Sequence, residues 1–131
     1  MVETPPIPAV PRARRILVIE DNVDAAQLLA EVLQMGGHSV RIAHDGLDGV
    51  ALALAMVPEV VFCDLGLPGL DGFGVARALR ADERLCSTVL IAISGYSRRQ
   101  DRARSAAAGF DFHLAKPATV SELESLLASL P

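Results

Sequence analysis

The chain has 131 residues, of which 51% are hydrophobic, so it can form one domain with a substantial apolar core. Its 12 basic and 16 acidic side chains give a net charge of −4. This balance argues against general nucleic-acid binding, which needs an excess of basic charge to displace counterions. The sequence contains neither a secretory leader nor a run of roughly 20 apolar residues that could span a bilayer, so we expect a cytoplasmic protein without membrane contact.

The first segment of the chain is rich in proline, with four prolines before residue 12. Proline lacks the backbone N–H that helices and strand ladders require, so this segment favours an extended conformation. We therefore predict a flexible tether over residues 1–13 and a folded domain over residues 14–131.

After this segment, apolar runs typical of strands alternate five times with helical patterns. Strands are predicted at residues 16–19, 38–43, 60–63, 88–93 and 110–115. The predicted helices start after Asn22 and Asp45, near residues 73 and 98, and at the capping box 119–122. Continuous apolar strands alternating with helices predict an α/β domain with a parallel sheet covered on both faces.

Apolar residues at helical spacing predict the buried faces of three helices. For the first helix these are Ala25, Leu28, Leu29, Val32 and Leu33. For the fourth they are Ala103, Ala106 and Ala107, a weak face because alanine buries little surface. For the last helix they are Val120, Leu123, Leu126, Leu127 and Leu130.

Polar side chains follow four of the five predicted strands. Glu20 and Asp21 follow the first strand, Asp64 the third, Ser94 the fourth and Lys116 the fifth. In doubly wound sheets ligands bind beyond the carboxyl ends of the strands, so these side chains are expected at one edge. One acid at a strand end often only caps a helix, and the prediction therefore depends on all five residues together.

This set of residue types is suited to phosphoryl transfer. Adjacent carboxylates repel each other unless a cation neutralises them, and Mg²⁺ prefers such oxygen ligands. A carboxylate can also attack phosphorus and form an acyl phosphate. A lysine and a serine hydroxyl would supply the charge and the hydrogen bond that stabilise the transferred group.

Four segments carry a resemblance to a known family: ILVIEDN at 16–22, CDLGLPGLDG at 63–72, ISGY at 93–96 and GFDFHLAKP at 109–117. With them the chain resembles the receiver domains of two-component response regulators and hybrid histidine kinases, over about residues 14–130. The resemblance implies a flavodoxin-like, doubly wound sheet of five parallel strands in the order 2-1-3-4-5, flanked by five helices.

The resemblance also implies a role for each matching residue. Asp64 would be the phospho-accepting aspartate. Glu20 and Asp21 would hold Mg²⁺ together with Asp64 and the backbone carbonyl of Gly66.

Two further roles follow from the same resemblance. Ser94 would be the hydroxyl that moves toward the phosphoryl group, and Lys116 would pair with the phosphoryl oxygens. The peptide between Lys116 and Pro117 would be cis, as is usual in this family. The donor would be a phosphohistidine on a histidine kinase or a histidine phosphotransfer protein, and the domain would catalyse only its own phosphorylation and dephosphorylation.

Three positions near the site depart from the common pattern or vary within the family. His113 stands where many receivers have a tyrosine or phenylalanine that moves inward on activation. It is either a switch residue with some pH sensitivity or a partly exposed strand residue without a role. Gly66 and Tyr96 border the expected phosphoryl group and would influence its rate of hydrolysis.

The predicted fourth helix is basic, with arginines at positions 98, 99, 102 and 104. In similar receivers the fourth helix and fifth strand often contact the downstream partner, so these arginines are candidates for binding an acidic surface. A solvated helix face without a partner is the alternative. The resemblance is compatible with a monomer or a weak dimer.

Two other classes of protein are less compatible with the sequence than a receiver domain. Phosphatases on a similar fold carry a second acid two residues after the nucleophile, where this chain has Gly66. No Walker loop or GxGxxG motif follows the first strand, which argues against a nucleotide-binding domain. A receiver that acts without phosphorylation stays an alternative, and the sequence is compatible with a single-domain regulator or with part of a hybrid kinase.

Overall fold

The computed structural model describes residues 12–95 and 99–131, where five strands and five helices alternate. The strands are β1 (Arg15–Ile19), β2 (Ser39–Ala43), β3 (Val60–Asp64), β4 (Val89–Ser94) and β5 (Phe112–Ala115). The helices are α1 (Val23–Met35), α2 (Gly46–Met56), α3 (Gly72–Arg80), α4 (Arg99–Ala108) and α5 (Val120–Ser129). A short 3-10 helix at Glu83–Leu85, which the sequence pattern did not predict, precedes β4.

The five strands form one parallel sheet in the order β2-β1-β3-β4-β5, which confirms the predicted flavodoxin-like topology. The three central strands are almost completely buried, as expected for a parallel sheet covered on both faces. The edge strands β2 and β5 are partly exposed. β5 begins two residues later than predicted because the Phe110 N–H bonds to the Ser105 carbonyl at the end of α4.

Two apolar cores lie on opposite faces of the sheet. Because successive side chains of a strand point to opposite faces, Ile16 and Val18 pack with α1 and α5, whereas Leu17 and Ile19 pack with α2 and α3. Ala108 of α4 joins the second of these cores. The helices thus cover both faces and leave the carboxyl edge of the sheet accessible.

The buried face of α1 differs from the prediction. Ala26, Ala30 and Leu33 are its buried residues, whereas Ala25 is exposed and the Leu28 side chain is 64% exposed. Small residues at the contact allow α1 to lie close to the sheet, and this rotates the larger leucine outward. Ala25 and Leu28 instead line a groove of about 480 Å³ between α1 and α5.

The predicted buried faces of α4 and α5 also need correction. In α4 the three alanines at 103, 106 and 107 are exposed, and Ser105 and Ala108 are buried. An alanine-rich helix carries little apolar area per residue, so its orientation depends on specific contacts such as those of Ser105. In α5 Leu123 and Leu127 are buried as predicted, but Val120 is 50% exposed at the groove.

Several predictions concern residues outside the described ranges. These are the proline-rich part of the tether at 1–11, Tyr96 and Arg98. Arg12 is described and forms an ion pair with Glu59 at 3.3 Å. Among the described helices, none combines the length and apolar character needed to cross a membrane.

Candidate functional site

The structure brings the predicted site residues together at the carboxyl edge of the sheet. Asp64 and Ser94 are the last residues of β3 and β4, and Glu20 and Lys116 directly follow β1 and β5. Parallel pairing holds these ends in register: the Glu20 N–H donates to the Ala43 carbonyl at 3.0 Å, and the Lys116 N–H donates to the Ser94 carbonyl at 2.8 Å. The Lys116–Pro117 peptide is cis, as predicted.

The loop after β3 is held against the start of α3 by a glycine. A Cβ atom on Gly72 would lie 2.6 Å from the Asp64 carbonyl oxygen and 2.7 Å from the Leu65 Cα atom. The Gly72 N–H donates to the Leu65 carbonyl at 3.2 Å, and Asp71 caps the helix by accepting from the Gly74 N–H at 2.9 Å. This close packing positions the backbone that carries Asp64.

An ionic cluster forms where β1, β3 and β5 end. The Lys116 ammonium donates to Glu20 Oε1 at 2.5 Å and to Asp64 Oδ2 at 3.1 Å. The other oxygen of Asp64, Oδ1, accepts from the Gly66 N–H at 3.0 Å. The side chains of Glu20 and Asp64 are only 7% and 13% exposed, so these contacts are strengthened by exclusion of water.

The cluster shifts the pKa values of its members in opposite directions. Burial, together with the nearby Asp64 carboxylate, raises the pKa of Glu20 to about 7. Burial also acts to raise the pKa of Asp64, but the neighbouring Glu20 carboxyl and the hydrogen bonds from the Gly66 N–H and Lys116 lower it overall. Burial acts to lower the pKa of Lys116, and its bonds to Glu20 and Asp64 outweigh this and raise it. Asp64 is therefore ionised beside a charged lysine at neutral pH.

The carboxylates form a group that fits a hard cation. Glu20, Asp21 and Asp64 each offer one oxygen, and these oxygens lie within 4.8 Å of one another. Within the described part of the chain, Glu20 Oε2 is buried and has no hydrogen-bond partner, which costs free energy that a bound cation would recover. Asp21 is exposed at the edge of the group. An all-oxygen donor set of this kind suits Mg²⁺.

Ser94 lies at the same edge and contacts His113. Its side chain is buried, and its Oγ atom lies 2.8 Å from His113 Nε2. The other ring nitrogen, Nδ1, lies 3.2 Å from the Oγ atom of Ser105 on α4. His113 thus has a serine hydroxyl within hydrogen-bonding distance on each side of its ring.

Two residues near the site were not identified from the sequence. His44 Nδ1 lies 3.0 Å from the Glu20 carbonyl oxygen and supports the strand end that carries Glu20. Ser105 is 2% exposed, and the signal that could have identified it is a single hydroxyl among the alanines of α4.

The sequence model of the response regulator receiver domain matches residues 16–128, almost all of the folded part. The chain belongs to this family. It is a receiver domain of the two-component response regulator type, and its candidate site residues lie at the sheet edge that the strand pattern predicted.

Curated relatives of this receiver domain agree with the assignment. It is 35% identical over 116 residues to the DNA-binding dual master transcriptional regulator RpaA of Synechocystis, covering 88% of the chain and 48% of RpaA. It is 34% identical over 103 residues to protein PilH of Pseudomonas aeruginosa, covering 79% of the chain and 85% of PilH. The chain thus spans about half the length of the first relative and most of the second.

A solved structure with the same fold is the receiver domain of a sensor histidine kinase from Pseudomonas aeruginosa. It is 29% identical to this receiver domain, with a TM-score of 0.83, and the match covers 91% of this chain and 98% of the other. That structure is described as having a magnesium ion coordinated in its active-site cleft.

Proposed function

We propose that the domain is a phosphorylation switch in which Asp64 accepts a phosphoryl group from a phosphohistidine on a histidine kinase or phosphotransfer protein in the cytoplasm. The receiver unit would comprise residues 14–131, with residues 1–13 as a tether. The observation that carries the proposal is the ionised, nearly buried Asp64 carboxylate, held by Lys116 and by the Gly66 N–H within a group of three acids.

Asp64 is arranged to act as a nucleophile. Its low pKa keeps it ionised, and the two hydrogen bonds on its oxygens orient the carboxylate. In the transfer, an oxygen of Asp64 forms a bond to phosphorus while the phosphorus–nitrogen bond of the phosphohistidine breaks and the imidazole leaves with the electron pair.

Lys116 and Ser94 would stabilise the phosphorylated form. The Lys116 ammonium contacts Asp64 before the transfer, and its raised pKa keeps it charged beside the added phosphoryl oxygens. Ser94 would provide a hydroxyl donor from the next strand.

Glu20, Asp21 and Asp64, with the Gly66 carbonyl as the ligand that the family resemblance suggests, would hold Mg²⁺. When bound, the ion would neutralise negative charge on the acids and on the transferred group. Glu20 would also keep Lys116 in place through their hydrogen bond. The Oε2 atom of Glu20, which has no hydrogen-bond partner among the described residues, supports this assignment.

The output surface would comprise α4 and β5. Arg102 and Arg104 are exposed on α4, and Arg104 lies 4.3 Å from the centroid of the Phe73 ring. This basic surface suits a downstream protein with an acidic patch. The domain itself would be a monomer or a weak dimer and would process no substrate other than its own phosphoryl group.

The test is phosphorylation by acetyl phosphate, followed by mobility in a phosphate-affinity gel. We expect a shifted band that requires Mg²⁺ and that is absent in Asp64→Asn. Asp48→Asn is the matched control, because it removes an exposed carboxylate of α2 that is not among the proposed site residues.

The other outcomes discriminate between the alternatives. A shift that persists in Asp64→Asn would place the acceptor elsewhere and overturn the proposal. A wild-type chain that is not modified by acetyl phosphate or by any phosphohistidine donor would favour an interaction module that acts without phosphorylation.

A further inference from the structure

His113 connects the candidate site to α4 through hydrogen bonds at both ring nitrogens. Nε2 lies 2.8 Å from Ser94 Oγ at the end of β4, and Nδ1 lies 3.2 Å from Ser105 Oγ. Ser94 and Ser105 are 8% and 2% exposed, so neither contact is readily exchanged for a contact with water.

The direction of these hydrogen bonds follows from the protons that each group has. The Ser105 hydroxyl donates to the Arg102 carbonyl at 2.9 Å, and a hydroxyl has a single proton to give. Ser105 Oγ must therefore accept from His113, which places the imidazole proton on Nδ1. His113 Nε2 then has only a lone pair, so Ser94 donates to it.

We propose that His113 is a positioning residue that accepts a hydrogen bond from the Ser94 hydroxyl while Asp64 is unmodified. After phosphorylation of Asp64, this hydroxyl donates to the phosphoryl group instead, and the hydrogen bonding of His113 to α4 changes. The proposal rests on the proposed function of Asp64. A phosphoryl oxygen and His113 Nε2 would compete for one proton, and the phosphoryl oxygen is the stronger acceptor because it is charged.

When the Ser94 hydroxyl donates to the phosphoryl group, His113 Nε2 loses its hydrogen-bond donor in a partly buried position. An unsatisfied buried acceptor is costly, so the imidazole gains by binding a proton of its own. As an imidazolium, it can donate from Nε2 to Ser94 and from Nδ1 to Ser105, while Ser94 donates to the phosphoryl group. Protonation of His113 and phosphorylation of Asp64 would thus favour each other, as linkage requires.

The surroundings of His113 favour the neutral ring before phosphorylation. Burial lowers its pKa, Arg102 on α4 lowers it further, and Asp101 on α4 acts in the opposite direction. The neighbouring strand β4 has no ionisable side chain among its residues, and on β5 the Lys116 ammonium is engaged with Glu20 and Asp64. A phenylalanine or tyrosine at this position would provide no lone-pair nitrogen for Ser94.

The experiment is a long-range ¹H–¹⁵N NMR titration of the histidine rings of the full chain, with Mg²⁺, with and without fluoroberyllate as the phosphoryl mimic. The chain has 3 histidines, and His38 is an internal reference because its Nδ1 accepts from the Arg14 N–H at 3.0 Å. Without the mimic, we expect the Nδ1–H tautomer for His113 and the Nε2–H tautomer for His38. With it, we expect the pKa of His113 to rise by roughly one unit, the size of one exchanged hydrogen bond, and that of His38 to stay constant.

Two variants separate the steps of the proposal. Ser105→Ala should weaken the preference for the Nδ1–H tautomer, and Ser94→Ala should abolish the effect of fluoroberyllate on the pKa of His113. An Nε2–H tautomer of His113 in the free wild-type chain would overturn the inferred hydrogen-bond direction. An undiminished pKa rise in Ser94→Ala would overturn the role of Ser94.

The two proposals fail in different ways. If fluoroberyllate causes no Mg²⁺-dependent change around Asp64, the proposed phosphorylation function fails, and the coupling of His113 to it fails as well. If fluoroberyllate binds but the tautomer and pKa of His113 do not change as expected, only the inference about His113 fails.

Discussion

Two properties of Glu20, its burial and its hydrogen bonding, can be tested in the metal-free protein. It is buried, and its Oε1 atom bonds to Lys116 while Oε2 has no partner among the residues that the structure describes. A carboxyl in this position favours its protonated form unless a cation is bound, which accounts for the raised pKa.

The first prediction concerns the stability of the metal-free protein as a function of pH. The pKa of Glu20 rises from 4.5 in the unfolded chain to about 7 in the folded one. Its stabilising contribution is therefore complete below pH 4.5 and is lost as the pH rises through about 7. In urea unfolding with EDTA, the free energy of unfolding of the wild type should fall between pH 4.5 and about 7. In Glu20→Gln this fall should be smaller.

Asp64, whose pKa shifts in the opposite direction, provides a check on the predicted direction of this pH dependence. Its pKa is lowered, so its contribution is present above 3.8 and is lost only as the pH falls below that value. The variant Asp64→Asn should therefore change the acid limb of the stability curve. A Glu20→Gln curve parallel to the wild-type curve between pH 4.5 and 7 would contradict the assignment of Glu20.

The second prediction concerns Gly72, where the space for a side chain is taken by backbone atoms. Because the Asp64 carbonyl and the Leu65 Cα atom would lie under 3 Å from a new Cβ, Gly72→Ala must displace the backbone. We expect a loss of about 1–3 kcal/mol in the free energy of unfolding, together with slower phosphorylation. Gly95→Ala is the control for stability, since apart from its chain neighbours no described atom lies within 4 Å of a Cβ there. An unchanged urea midpoint for Gly72→Ala would show that the contact is not tight.

At the scale of elements, Arg80 connects α3 to three other parts of the chain. Its guanidinium donates to the carbonyls of Leu85, Thr88 and Gly109, at 3.1, 2.7 and 3.0 Å, and to Asp111 Oδ2 at 2.7 Å. These contacts join the 3-10 helix, the start of β4 and the connection from α4 to β5.

The third prediction is that Arg80→Met is strongly destabilising because it leaves several partly buried carbonyls without donors. We expect a loss of roughly 2–4 kcal/mol in denaturant unfolding. Arg84→Met is the matched control. Arg84 pairs only with Asp82 at the surface in the described contacts, so its loss should lower the free energy of unfolding much less than the loss of Arg80. Equal losses in the two variants would contradict the connecting role of Arg80.

The fourth prediction concerns the mobility of α4. This helix presents exposed alanines to solvent and is held to β5 through contacts that include Ser105 and His113. If phosphorylation changes the bonding of His113, amide hydrogen exchange in α4 should change between the free and the fluoroberyllate-bound protein, whereas α2 should change little. Equal protection of α4 in both states would count against its role as the output surface.

At the scale of the whole molecule, metal binding should appear as global stability. A ligand that binds only the folded state at a concentration of 100 Kd adds about 2.7 kcal/mol to the free energy of unfolding. The fifth prediction is that Mg²⁺ raises the melting temperature of the wild type and does so less at equal concentration for Asp21→Asn. The same rise for both proteins would exclude Asp21 as a ligand.

Some features could be predicted because they depend on local pattern and topology. Asp64, Ser94 and Lys116 were placed at one edge because parallel strands align their carboxyl ends, and each of these residues ends or directly follows an apolar run. Other features could not be predicted because they depend on distances between elements. The exposure of Leu28 and the burial of Ser105 are examples, since helical periodicity alone does not specify the rotation of a helix dominated by small residues.

By itself, the sequence determined the α/β class, the alternation of elements, the receiver family and the identity of the acids, serine and lysine at the strand ends, because these follow from residue type and order along the chain. Only the tertiary structure decided which carboxylate oxygen remains without a partner, which residues of α1 and α4 face the core, and how His113 bonds to Ser94 and Ser105. These properties depend on the relative positions of residues far apart in the sequence, and hydrogen bonds and burial respond to differences of less than an ångström.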